Sequence, residues 1–230
     1  YLVKNGADPS MLQAVGMGEG WGDFLALTMQ LRAGDNLDGA FSDAVYATSG
    51  MGDAAYFGTR RVPYSVDMNI NPLTFKHIQQ SETLPDTAPL IDAFPDNAEV
   101  HNAGVLWANM MFESFVALLK QSQGATPKYS FDEARRRMAD YVVAGMQLAP
   151  VEPTFTEQRD GIIAAAYAAD PDDALLIAQG FARRGAGSCA FSQPKNSSCQ
   201  SLELRGLRIQ WFSSGNHSRR ASTPRALRVL

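Results

Sequence analysis

Histidine is scarce in this chain. Only His77, His101 and His217 occur in 230 residues. No His-Glu-x-x-His sequence, which would put two imidazoles on one helix face, is present. Local sequence alone therefore cannot build a multi-histidine metal site. Cysteine is also rare, with only Cys189 and Cys199. That excludes a disulfide framework and a cysteine-rich zinc site. The pair either closes one short loop, contributing about 2–3 kcal/mol, or stays as two thiols. No apolar run reaches the roughly 18–20 residues of a membrane span. The longest candidate, Val105 to Leu119, is interrupted by Asn109 and Glu113. Strand signals are sparse, and no internal repeat is visible.

Charge is unevenly spread. The net charge is −4, yet residues 193–230 hold seven Lys and Arg against one acid. The body is therefore acidic and the tail basic, which argues against nucleic-acid binding by the body. The tail has little periodicity and reads as disordered, with a basic surface-binding arm or a misread terminus as the other readings. Asn196-Ser197-Ser198 and Asn216-His217-Ser218 match glycosylation acceptors. We divide the chain into a helical unit, 1–192, and a tail, 193–230.

What is present is helical pattern. Met11 to about Ala33 has helical apolar spacing and stops at Gly34-Asp35-Asn36. Residues 34–100 are rich in Gly, Pro, Asn and Asp, with short helical pieces. One is expected to start at Asn71-Pro72, a cap followed by proline at the first helical position. His101 to Gln121 has few breakers and a broad apolar face. Ser130-Phe-Asp-Glu133 and Thr154-Phe-Thr-Glu157 read as capping boxes. Asp170-Pro171-Asp172-Asp173 opens a last helix that ends near Arg184-Gly185. The fold class is mainly α with a long loop-rich insertion.

The segment Gly16-Met-Gly-Glu19-Gly-Trp-Gly-Asp23 concentrates the chemistry. Glu19 and Asp23 are four residues apart and share a helix face. One carboxylate could bind a metal while the other orients a neighbouring ligand. The glycines would let another backbone approach closely. His77, beside Lys76, reads as a surface residue, and His217 lies in the tail. His101 follows Asp96-Asn97-Ala98-Glu99-Val100 at the entry to a long helix. A carboxylate would be needed to fix its tautomer, and Asp96 and Glu99 are the candidates. Spacing alone leaves His101 open between a helix-entry residue and a catalytic one.

Gly18-Glu19-Gly-Trp-Gly-Asp23 resembles the third-ligand helix of the fungalysin family of zinc metallopeptidases. Asp96-Asn-Ala-Glu-Val-His101 is similar to a segment shared by thermolysin-like enzymes. Further blocks follow the family's order: Arg60-Arg61-Val-Pro-Tyr64-Ser65, Asn71-Pro72-Leu73-Thr74, Trp107-Ala108-Asn109, Pro153-Thr154-Phe155, Arg159-Asp160 and Phe181-Ala-Arg-Arg184-Gly185. The resemblance covers about 11–187. It implies the helical C-terminal subdomain of a secreted, thermolysin-like endopeptidase that takes Zn2+ as cofactor and protein or peptide substrates.

By that resemblance Glu19 is the third zinc ligand, and Asp23 the carboxylate that steadies a zinc-binding histidine. His101 hydrogen-bonds the oxyanion, Asp96 orients it, and Arg60 or Arg61 contacts the substrate carbonyl. Zinc would polarise the scissile carbonyl and acidify a water. The chain departs from the pattern in three places. The two histidine ligands and the general-base glutamate are missing, Val105 stands where the family has Glu, and Gly22 where Ser is common. The expectation is a C-terminal half of a catalytic domain, inactive alone. A peptidase-derived helical domain with a binding or regulatory role is the alternative, and a plain α-helical domain is the reading without the resemblance. Oligomeric state is not legible.

Overall fold

A computed structural model describes residues 12–50, 53–80, 82–85 and 96–192. Within them lie α1 (Leu12–Gln30), α2 (Ala54–Phe57), α3 (Val100–Leu119), α4 (Phe131–Leu148), α5 (Phe155–Ala169) and α6 (Pro171–Arg183). Short 3-10 turns occupy Phe75–Ile78 and Lys120–Ser122. No strand is found among the described residues; Phe41 and Tyr64 form one isolated antiparallel bridge. The readings placed on Cys199, Asn196, Asn216, His217 and the tail lie outside the described residues. Cys189 is exposed with a free thiol.

The helix at α3 is the axis of the fold. Every residue from Ala103 to Val116 is buried, including Asn109 and Glu113, so this stretch has no solvent face. By length and composition alone Val100–Ser122 passes as a membrane span, although Asn109 and Glu113 interrupt its apolar run. It is instead a core helix, with α1 packed on one side and α6 on another. Trp107, fully buried, meets Trp21 of α1 edge-on at 5.2 Å and also contacts Phe155 of α5 and Phe181 of α6. Such aromatic pairs add about 0.5–1.5 kcal/mol each beyond their burial.

The three later helices begin where their caps predict. Thr154 and Glu157 form the reciprocal box, with Thr154 N–H donating to the Glu157 carboxylate at 2.8 Å. Ser130 accepts from the Glu133 N–H at 3.1 Å, while the Glu133 side chain takes Arg137. Asp170 accepts from the N–H groups of Asp172 and Asp173. The same Asp170 joins a cluster the sequence did not announce. Its carboxylate and that of Asp173, which is fully buried, receive Lys128 and Tyr129. Asp173 also accepts from Tyr141 at 2.7 Å. Burial opposes ionisation of Asp170, but the donors Lys128 and Tyr129 outweigh it and hold its pKa at about 2. Burial pushes the Tyr129 and Tyr141 hydroxyls up to about 12.

The helix expected at Asn71-Pro72 does not form. The Asn71 side chain accepts from Leu73 N–H at 3.2 Å and donates to the Pro63 carbonyl at 2.9 Å. It makes a turn that fixes the loop instead of capping a helix. The 3-10 turn begins later, with Thr74 as cap. His77 is buried and not on the surface, its Nδ1 accepting from Thr74 N–H at 2.9 Å. Arg184 holds this loop to the helices. It is fully buried, donates to Glu113 of α3 at 2.7 Å, and donates to the carbonyls of Ser65, Asn71 and Leu73. The bridge joins Phe41 to Tyr64, and this arginine ties Ser65, Asn71 and Leu73 to Glu113 of α3.

Candidate metal and oxyanion half-site

The approach of α1 to α3 positions the site. Both helices carry glycine where they meet. A Cβ built on Gly104 would lie 2.8 Å from the Gly16 carbonyl oxygen, 2.8 Å from the Gly20 nitrogen and 2.9 Å from the Glu19 Cβ. Only glycine permits that separation. Glu19 therefore sits beside residue 104, and His101, three residues earlier in α3, lies on the same side. The result is a contact across 82 positions of sequence: His101 Nε2 is 3.5 Å from Glu19 Oε2. Both side chains remain nearly half exposed.

The imidazole has a second carboxylate on its other nitrogen, supplied by Glu99. Glu99 Oε1 lies 2.7 Å from His101 Nδ1, while Oε2 accepts from the backbone N–H of His101 at 2.9 Å and of Asn102 at 3.2 Å. Asp96, expected at the ring, is elsewhere. Its carboxylate accepts from Gln80 Nε2 at 2.6 Å, and its carbonyl accepts from Asn102 Nδ2. The physical reason is reach. Glu99 is the N-cap of α3, so a side chain one methylene longer than Asp folds over the first turn to both backbone and ring.

Asp23 is buried one turn beyond Glu19, as its spacing predicts. It accepts from Arg60 Nε at 2.7 Å and Arg60 Nη2 at 2.6 Å, and from the Tyr64 hydroxyl at 2.5 Å. Burial works against the charge of Arg60, but the hydrogen bonds and charge of Asp23 prevail and raise its pKa. Tyr64 is raised by its complete burial and by Asp23. Asp43 lies close by, its carboxyl raised first by burial and then by the charge of Asp23. Arg60 thus gives Nε and Nη2 to Asp23. Arg61 Nη1 donates to Asn97 Oδ1 at 3.1 Å, and its own pKa is lowered by burial against the opposing charge of Glu99. Val105 is buried in the core and Gly22 faces open space, so both departures from the family pattern are accommodated locally.

These residues fit part of a zinc site. Glu19 offers one half-exposed carboxylate, an accepted zinc ligand type. Among the described residues no three His, Cys, Asp or Glu side chains come together to hold a metal. The donor set is therefore incomplete without two further ligands.

A helix bearing a carboxylate thus packs through glycines on a core helix bearing a histidine at its N-terminus. Residues 4–190 match the model of the fungalysin metallopeptidase (M36) family, and the chain belongs to that family. It is 31% identical over 184 residues to extracellular metalloproteinase 2 of Trichophyton rubrum, covering 77% of this chain and 26% of that protein. It is 31% identical over 192 residues to extracellular metalloproteinase 9 of Coccidioides posadasii, covering 78% and 26% respectively. It is 32% identical over 188 residues to extracellular metalloproteinase mep of Aspergillus terreus, covering 76% and 25%. The chain spans about a quarter of the length of the curated relatives it matches.

Proposed function

We propose that this chain supplies the third-ligand and oxyanion half of a zinc endopeptidase site, and that a secreted protein carries it. The observation that carries the reading is the 3.5 Å approach of His101 to Glu19. Two residues from different helices, at the matching positions of two family motifs, face one open side. Glu19 would hold the metal. Zinc, when bound, supplies a polarised carbonyl and an acidified water.

The chain's own residues do the rest. His101 donates from Nε2 to the oxygen that gains charge, a contact whose loss costs about 10²–10³ in rate. One ring proton is committed to Glu99, so the donating form is the imidazolium. Asp23, held by Arg60 and Tyr64, would steady a histidine ligand of the same zinc, the role its position in the family motif implies. The substrates are proteins or peptides.

The 230 residues contain no His-Glu-x-x-His, so the chain alone is expected to bind zinc weakly and to leave peptides intact. Equilibrium dialysis with metal analysis, alone and with a His-Glu-x-x-His segment supplied in trans, tests this. One zinc per complex with peptide hydrolysis only in the mixture supports the reading. One tightly held zinc on the chain alone means that the ligands are misidentified. No zinc in either case favours a binding or regulatory role for this domain.

A further inference from the structure

Glu99 has a cap's bonds and a further one that no cap requires. Capping uses a single acceptor oxygen, and Oε2 provides it to His101 N–H and Asn102 N–H. Oε1 is left over and lies 2.7 Å from Nδ1 of the same His101. A carboxylate has acceptors only, so Nδ1 must carry the proton. The side chain is anchored on both oxygens, is only 20% exposed, and sits where the helix N-terminus favours negative charge.

From this geometry we propose that Glu99 is the positioning residue that sets the orientation and tautomer of His101, a role that does not belong to Asp96. Its value for catalysis rests on the function proposed above; its existence does not. With Nδ1 committed to Glu99, the ring plane is fixed and Nε2 is directed at the Glu19 side, 3.5 Å away. Asp96 contributes to the loop entry, through Gln80 and Asn102. His77 is the internal contrast. There the Thr74 N–H points at Nδ1 at 2.9 Å, a shorter contact than the 3.2 Å to the Thr74 carbonyl oxygen, so Nδ1 is expected to accept and Nε2 to carry the proton. The proposal thus gives the two histidines opposite tautomers, each set by a neighbour two or three residues away.

The test is ¹⁵N NMR of the ring nitrogens in the full chain labelled at histidine, with His101 assigned from the spectrum of His101→Gln. Spectra are taken near pH 9, roughly two units above the ordinary histidine range. Nδ1 of His101 should be protonated and Nδ1 of His77 bare. Glu99→Ser keeps a good N-cap but is too short to reach the ring, so Nδ1 of His101 should lose its proton to Nε2. Asp96→Asn should leave the His101 pattern unchanged. A bare Nδ1 in the unaltered chain would overturn the proposal without any variant having to fold. So would a shift caused by Asp96→Asn, or an unchanged ring in a folded Glu99→Ser. None of these outcomes depends on hydrolysis or zinc.

Discussion

Two carboxylates on one face of α1 have opposite energetic characters. Asp23 is buried and fully engaged by Arg60 and Tyr64. Removing it leaves a buried guanidinium without its partner, so Asp23→Ala should cost about 3–5 kcal/mol in urea unfolding. Glu19 is nearly half exposed with one long contact to His101. Glu19→Ala should therefore change stability by less than about 1 kcal/mol. Equal costs for the two would contradict the division between a structural acid and a ligand acid. Glu19 and Asp23 were legible as a pair because helical spacing is a local property. The partner of Asp23 was not. Arg60 is 37 residues away and its direction depends on how the loop returns past Asp43 and Tyr64. Glu99 was harder to rank, because glutamate is not a favoured N-cap and Asp96 has the expected residue type.

At the scale of helices, the site depends on the glycine contact between α1 and α3. Gly104→Ala puts a methyl group against backbone atoms of α1 that cannot rotate away. We expect a loss of about 1–3 kcal/mol and a wider separation of Glu19 from His101. Gly22→Ala is the matched control. It lies in α1, the facing helix, exposed, with open space around it, and should raise stability by about 0.5–1 kcal/mol. Urea midpoints of both variants check the pair. Destabilisation by Gly22→Ala, or none by Gly104→Ala, would show that the glycines serve something other than close approach. Helix starts at 131, 155 and 171 were readable because Ser130, Thr154 and Asp170 cap through local bonds. The loop at 71–78 was misread because Asn71 and Pro72 make a good start in isolation. Tertiary contacts to Pro63 and Asn109 take up the Asn71 side chain instead.

For the whole molecule, acid is the informative stress. The folded pKa of Asp170, about 2, is below its unfolded value near 3.9. Its contribution is therefore complete above about pH 4–5 and is lost as pH falls toward 2. With 22% of the side chain exposed, a value on the order of 2 kcal/mol is the upper end. Asp43 and Glu113 have the opposite sign, because burial raises both; their ionisation weakens the fold as pH rises. Asp170→Asn should flatten the loss of stability between pH 5 and pH 2, measured by urea midpoints across that range. An unchanged slope would remove Asp170 from the acid response.

The central claim is that Glu19 and His101 serve one peptidase site in different capacities. It is tested most directly by zinc content and turnover of the complex completed in trans, with Glu19→Ala and His101→Ala compared side by side. The account predicts that Glu19→Ala releases the zinc, whereas His101→Ala keeps it and lowers turnover by about 10²–10³. Equal loss of zinc in both would make His101 a ligand, and full turnover in His101→Ala would return it to a residue of the helix entry.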